Sequence, residues 1–154
     1  MRIRRGGPAD LPRALEIWRA AVDATHGFLT PGDRAEIDDM VAEHFLPNAD
    51  LWLAVDEQDR PQAFLVMDGE MIDALFVDPM VHGRGIGTRL VEHALALAPG
   101  ARVDASEQAA NALRFYLARG FVPIGRSETD ADGRPYPLVH LRHAGTSAAS
   151  KSSR

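Results

Sequence analysis

Residues 71–88 restrict what this chain can fold into more than any other stretch. A strand-like run, MIDALFV (71–77), stops at Asp78-Pro79 and leads into His82-Gly83-Arg84-Gly85-Ile86-Gly87-Thr88. Beyond the glycines, Ile86, Leu90, Ala94 and Leu97 fall on one stripe of a helix that Pro99-Gly100 closes. A strand passing through a glycine turn into an amphipathic helix belongs to a layered fold of sheet and helices. Such a turn also lets backbone N–H groups converge on an anion at the helix N-terminus. Closely spaced glycines allow a phosphate to approach with no Cβ in the way. A purely steric role suits one glycine better than three at alternate positions.

Two nucleotide motifs are excluded by their residues. G-x-G-x-x-G starts at neither Gly83 nor Gly85, and the GK[ST] ending of a P-loop is missing. The chain of 154 residues contains no cysteine, and Lys151 is its only lysine against sixteen arginines. There is therefore no disulfide framework, thiolate metal site, cysteine nucleophile or Schiff-base lysine in the body of the chain. A net charge of −5 argues against a general nucleic-acid binder. No apolar run approaches the ~20 residues of a membrane span, and the N-terminus has no signal-peptide core, so a cytoplasmic protein is expected.

Around the glycine turn, periodicity predicts a short strand near Ile3 and a helix carrying Leu11, Leu15, Trp18 and Val22. DATHGFL (23–29) interrupts the pattern. Thr30, Pro31 and Asp33 start a second helix with Ile37, Met40, Val41 and Phe45 on its buried face. LWLAV (51–55) and QAFLVM (62–67) flank DEQDRP as a hairpin, and ARVDA (101–105) forms a short strand. A helix follows over 108–119, and runs around Val122–Glu128 and Tyr136–Arg142 close the chain as a hairpin about DADGRP. The predicted order, β-α-α-β-β-β-α-β-α-β-β, describes one α/β (α+β) domain over residues 1–143. The polar segment 144–154 reads as a disordered tail.

The glycine segment resembles motif A of the GCN5-related N-acetyltransferases, Gln/Arg-x-x-Gly-x-Gly/Ala at the start of a helix. Gly85 and Gly87 take the two small positions, and His82 stands where arginine or glutamine is usual. Downstream, Asn111-Ala112-Leu113-Arg114-Phe115-Tyr116 followed by Gly120-Phe121 resembles motif B, N-x-x-A-x-x-x-Y-x-x-x-G-F, with an alanine directly after the asparagine. DATHGFL and DADGRPYPL resemble strings of an unassigned bacterial branch of that family.

The resemblance implies a mixed, mostly antiparallel sheet of about seven strands with about four helices, its fourth and fifth strands splayed apart. It implies acetyl-CoA as donor, a small-molecule or protein amine as acceptor, and neither metal, nucleic-acid nor membrane partner in a monomer or homodimer. Backbone atoms of Leu75, Phe76 and Val77 would hold the pantetheine arm. His82, Gly83, Arg84, Gly85, Ile86, Gly87 and Thr88 would hold the pyrophosphate, with arginines such as Arg84 and Arg89 supplying charge. Asn111 would contact the arm from the other side. Tyr116 is the candidate acid for the leaving thiolate, its alternative being a core tyrosine beside Phe115. Asp73, alternating with Met71 and Leu75 on a largely apolar face, is either a tuned base or a structural acceptor. Asp23 and His26 would border the acceptor pocket, where His26 contacts substrate or serves capping or packing. Glu70 and His140 are weaker candidates. His140 and His143 show an HxxH spacing without a helix to bring them together. With no cysteine, direct attack by the amine in a ternary complex is the expected route. The same fold acting as a CoA-binding sensor with little turnover is the alternative.

Overall fold

Alternation in the central strands places one pair of helices on each side of a single sheet. The computed structural model describes residues 1–145; the expected tail lies, from residue 146 on, outside them. The elements are β1 (Arg2–Arg5), α1 (Leu11–Thr25), α2 (Pro31–Met40), β2 (Asp50–Val55), β3 (Pro61–Asp68), β4 (Met71–Val77), α3 (Ile86–Leu97), β5 (Arg102–Ser106), α4 (Ala110–Ala118), β6 (Phe121–Ser127) and β7 (Leu138–His143). The sheet has seven strands in the order β1-β2-β3-β4-β5-β7-β6. Every pairing is antiparallel except β4 with β5.

Strand β3 is buried along nearly its whole length because both faces are covered. Its Ala63, Leu65 and Met67 pack with Ile86, Leu90, Val91 and Ala94 of α3 and with Tyr116 of α4. Its Phe64 and Val66 face Ala14, Ile17, Trp18 and Val22 of α1. Two expected core positions differ: Met40 and Leu97 are exposed, although the chain after Met40 continues as a π-helical turn, Val41–Phe45, whose Val41 is buried in the core. Thr30 caps α2 as expected, its hydroxyl accepting the Asp33 N–H at 3.1 Å. The three arginines of the first strand are engaged in ion pairs with Asp59, Asp10 and Asp50, two of which also fasten the β2–β3 turn to β1.

Strand β4 contains the irregularity on which the site depends. Ala74 is opposite Val66 and Ile72 is opposite Met67, so Asp73 is an extra residue in the ladder, a β-bulge. Ile72 and Ala74 would share a face in a regular strand, but Ile72 packs on the α3 side and Ala74 on the α1 side. The parallel ladder to β5 consists of two positions, Met71 with Arg102 and Ile72 with Val103. Beyond the bulge the two strands part.

Candidate active site

Where β4 leaves β5, the backbone of Ala74–Val77 has an edge with no strand partner on that side among the described residues. Buried peptide groups require partners, so this edge is prepared to bond an extended ligand. A cleft of about 500 Å³ opens along it. Its walls include Leu75, Phe76 and Val77 of β4, Thr25 and His26 at the end of α1, and Asn111 and Tyr116 of α4.

A second hollow of about 260 Å³ shares Val77, Gly87 and Phe115 with the first and continues it to the glycine turn. Gly83 and Gly85 have φ of 81° and 77°, the left-handed region that glycine occupies without strain. Among the described residues no side chain caps α3, and its first ladder bond runs from the Arg89 N–H to the Gly85 carbonyl. The N–H groups of Ile86, Gly87 and Thr88 thus stand at the start of the helix with no acceptor four residues back, an arrangement suited to an anion. Gly87 is small for a packing reason, since a Cβ there would lie 3.2 Å from the Phe115 ring.

The arginines of this hollow differ from the expectation. Arg89 turns away to the Met1 carbonyl at 2.8 Å, and Arg84 lines neither hollow. Among the described residues the arginine that lines this hollow is Arg119, from the turn after α4, which sequence spacing did not single out. Its guanidinium sits 3.8 Å from the Phe115 ring centre. Its Nε donates to Thr88 Oγ1 at 2.8 Å and its Nη1 to the Phe115 carbonyl at 2.7 Å. Among the described residues, Nη2 has no protein partner. Its nearness to Thr88 depends on how α4 lies against α3, which no local motif encodes. His82 lines this hollow as expected.

Tyr116 is buried between Phe115 and Phe121, with ring centres at 5.1 and 5.3 Å, and also lines the cleft. Burial pushes its phenol well above the ordinary value, so the group keeps its proton. Among the described residues no side-chain hydrogen bond engages its hydroxyl.

Two expected site residues, Asp73 and Asp23, lie outside the cleft lining, and a third, Asn111, lines it with its side-chain oxygen engaged. Asp73, the extra residue of the bulge, is exposed and outside the cleft lining. Its carboxyl is nevertheless raised above its ordinary value, first by partial desolvation and then by repulsion from Asp68 and Asp104. Asn111 lines the cleft, but its side-chain oxygen accepts from Arg114. Counting back from Tyr116, the alanine of motif B is Ala112 and its asparagine position is Ala109, the uncapped residue before α4. Asp23 is paired with Arg34 at 2.9 Å and does not line the cleft. His26 does.

Behind the fork, His140 bridges Asp104 and Ser127 at 2.6 Å each, in a separate groove of about 330 Å³. His143 bonds the Arg119 carbonyl instead of joining it. Among the described residues no group of His, Cys, Asp or Glu side chains is arranged to hold a metal ion, and no helix is long and apolar enough to cross a membrane.

Residues 47–123 match the family model described as an acetyltransferase (GNAT) domain. The chain is 50% identical over 139 residues to the peptidyl-lysine N-acetyltransferase YjaB of Salmonella typhimurium (strain LT2), covering 90% of this chain and 95% of that protein. It is 46% identical to the peptidyl-lysine N-acetyltransferase YjaB of Escherichia coli (strain K12), covering 93% and 97%. The solution structure of apo-form YjaB from Escherichia coli superposes with a TM-score of 0.89 at 45% identity, covering 94% of this chain and 98% of that one.

Proposed function

We propose that this chain, which belongs to the GNAT acetyltransferase family and is an N-acetyltransferase, takes its acetyl group from acetyl-CoA and passes it to the ε-amino group of a peptidyl lysine. The donor reading is carried by one observation: the open edge of β4 and the uncapped start of α3 lie along adjoining hollows that share Val77, Gly87 and Phe115. An extended pantetheine has amides for the open edge, and a pyrophosphate has charge for the helix start and Arg119. The lysine reading is supported by the names of the two relatives at 50% and 46% identity.

Within that frame Leu75, Phe76 and Val77 align the arm through their backbone, and Ile86, Gly87 and Thr88 hold phosphate oxygens. Tyr116 donates its proton to the sulfur as the C–S bond breaks. Its neutral phenol, kept protonated by burial, is a donor at any physiological pH.

Release of free thiol from acetyl-CoA with a lysine peptide tests this reading, and the absence of cysteine removes any background from the protein itself. Tyr116→Phe should lower kcat at least about 100-fold with CoA affinity little changed, the range expected for loss of a general acid. A mutant as active as wild type would remove Tyr116 from the mechanism.

A further inference from the structure

Attack by an alkylamine requires that the ammonium, ordinary pKa ~10.4, first lose a proton. We propose that the group receiving this proton is His26, through Nε2. The proposal rests on the acetyl-transfer reading above and assigns a step that reading leaves open.

The hydrogen bonds around His26 determine its tautomer. The Thr25 hydroxyl carries one hydrogen and donates it to the Ala21 carbonyl at 2.7 Å, one turn back in α1. The same oxygen lies 2.6 Å from His26 Nδ1 and serves that nitrogen as an acceptor. Nδ1 therefore bears the ring hydrogen, and Nε2 is left with a lone pair. Among the described residues no hydrogen bond occupies Nε2, and His26 lines the cleft with Leu75 and Tyr116.

The ring is held from both sides. Its backbone N–H closes α1 onto the Val22 carbonyl at 2.7 Å. Its face meets Phe28 with centres 5.1 Å apart, and Phe28 meets Tyr136 at 5.9 Å. Tyr136 is anchored in turn, its hydroxyl accepting the Thr30 N–H at 3.2 Å and donating to the Asp33 carboxylate. The loop after α1 is thus fastened to the β6–β7 connection, and the imidazole cannot swing out without breaking that chain of contacts.

The surroundings favour a neutral ring. Desolvation lowers the His26 pKa below its ordinary value. The charged groups on the elements around it are engaged elsewhere: Asp23 of α1 with Arg34 of α2, Asp33 with Tyr136, and Arg134 of the β6–β7 connection with Glu36 and Asp132. Tyr116 of α4 keeps its proton, and Asp73 of β4 stands outside the cleft. A neutral imidazole facing the cleft is available as a base at pH 7 without a carboxylate partner.

The ammonium passes one proton to His26 Nε2, forming an imidazolium. The amine lone pair forms the new C–N bond, and the C–S bond breaks with its electron pair on sulfur, which takes the Tyr116 proton. The nitrogen loses its second proton to restore Tyr116, and His26 returns the first to solvent.

The test measures kcat/KM for acetylation of a lysine peptide from pH 6 to 10, with acetyl-CoA affinity measured separately by calorimetry. His26→Ala should lower kcat/KM about 100-fold near pH 7, leave acetyl-CoA affinity within about twofold, and lose less as pH rises toward the amine pKa. Added imidazole should restore part of the rate. His26→Gln, which keeps a polar side chain of similar length, serves if the alanine variant does not fold. Thr25→Val, which removes the acceptor that sets the tautomer, should fall between wild type and His26→Ala. Activity within about threefold of wild type, or a loss equal at every pH and unrelieved by imidazole, overturns the proposal. The comparison is run on whichever primary amine the wild type acetylates, so an incorrect acceptor refutes the lysine reading alone and the His26 result still decides this one.

Discussion

Replacing Arg119 separates phosphate recognition from binding of the rest of the donor. Arg119→Met keeps an apolar stem over the Phe115 ring but removes the guanidinium that borders the glycine turn. The bonds that the guanidinium donates to Thr88 Oγ1 and to the Phe115 carbonyl are lost with it. The donor is ionised, but both acceptors are neutral and the contacts only part-buried, so about 1 kcal/mol each and a modest fall in melting temperature are expected. The larger effect falls on ligand. A charge-assisted contact to phosphate contributes about 1.5–3 kcal/mol, which corresponds to CoA binding weakened roughly 10- to 150-fold. Arg119→Lys retains a positive charge but cannot span Thr88, Phe115 and a phosphate with one ammonium, so it should lie between the two. Calorimetric titration with CoA and with pantetheine, which lacks the phosphates, gives the discriminating comparison. The loss should appear with CoA, shrink at high salt, and be absent with pantetheine. An equal loss with both ligands would mean that Arg119 acts by supporting the fold, and no loss with CoA would mean that the uncapped N–H groups suffice.

Two further outcomes follow from contacts between distant parts of the chain. Tyr136→Phe removes the hydroxyl lodged between the Thr30 N–H and Asp33 and should cost about 1–3 kcal/mol in denaturant unfolding. It should also raise the acceptor KM while leaving the acetyl-CoA KM unchanged, and equal changes in both would refute a role confined to the acceptor wall. Asp38 is held at about 2, mainly by its paired bonds to Arg19, with Arg34 adding to them. Because the folded value is depressed, its contribution is complete above the unfolded pKa of ~3.9 and is lost as pH falls toward 2. Acid unfolding followed by circular dichroism should show Asp38→Asn less sensitive than wild type to pH between those limits, and parallel curves would contradict the assignment.

The sequence exposes features that depend on neighbouring residues and conceals those that depend on packing between elements. The glycine turn is legible because alternate glycines at a helix start have few steric uses, and the Thr30 cap because hydroxyl, proline and carboxylate stand at fixed offsets. Asp73 illustrates the opposite case. A period of two assumes one residue per ladder step, so a bulge is invisible to it, and the alternation of Met71, Asp73 and Leu75 does not reveal that Asp73 is the exposed extra residue. Arg119 and Thr88 are 31 residues apart, and Tyr136 and Thr30 are separated by 106, so their contacts arise only from how the elements pack. Asn111 lines the cleft, but its place in the first turn of α4 sets its side-chain oxygen against Arg114 three residues on, a contact that the motif resemblance does not encode.

The arrangement of hydroxyls bears on whether the acetyl group rests on the enzyme before transfer. A covalent route needs a nucleophile at the cleft with a base to activate it. Cysteine is absent from the chain, and the one lysine, Lys151, lies outside the described residues. Thr25 borders the cleft, but its hydrogen is committed to the Ala21 carbonyl and the nearby imidazole donates to it, the reverse of activation. Ser127 has the partners of an activated hydroxyl, His140 and then Asp104, yet His140 and Asp104 line a groove separate from the cleft of Leu75 and Tyr116. A direct transfer in which both substrates are bound together is the route these side chains support. Double-reciprocal plots should therefore intersect, and intact mass after incubation with acetyl-CoA alone should be unchanged. Ser127→Ala should retain most of the activity. Parallel lines, together with an acetyl adduct that disappears in that variant, would place the reaction on the His140 side of the fork and refute the direct route.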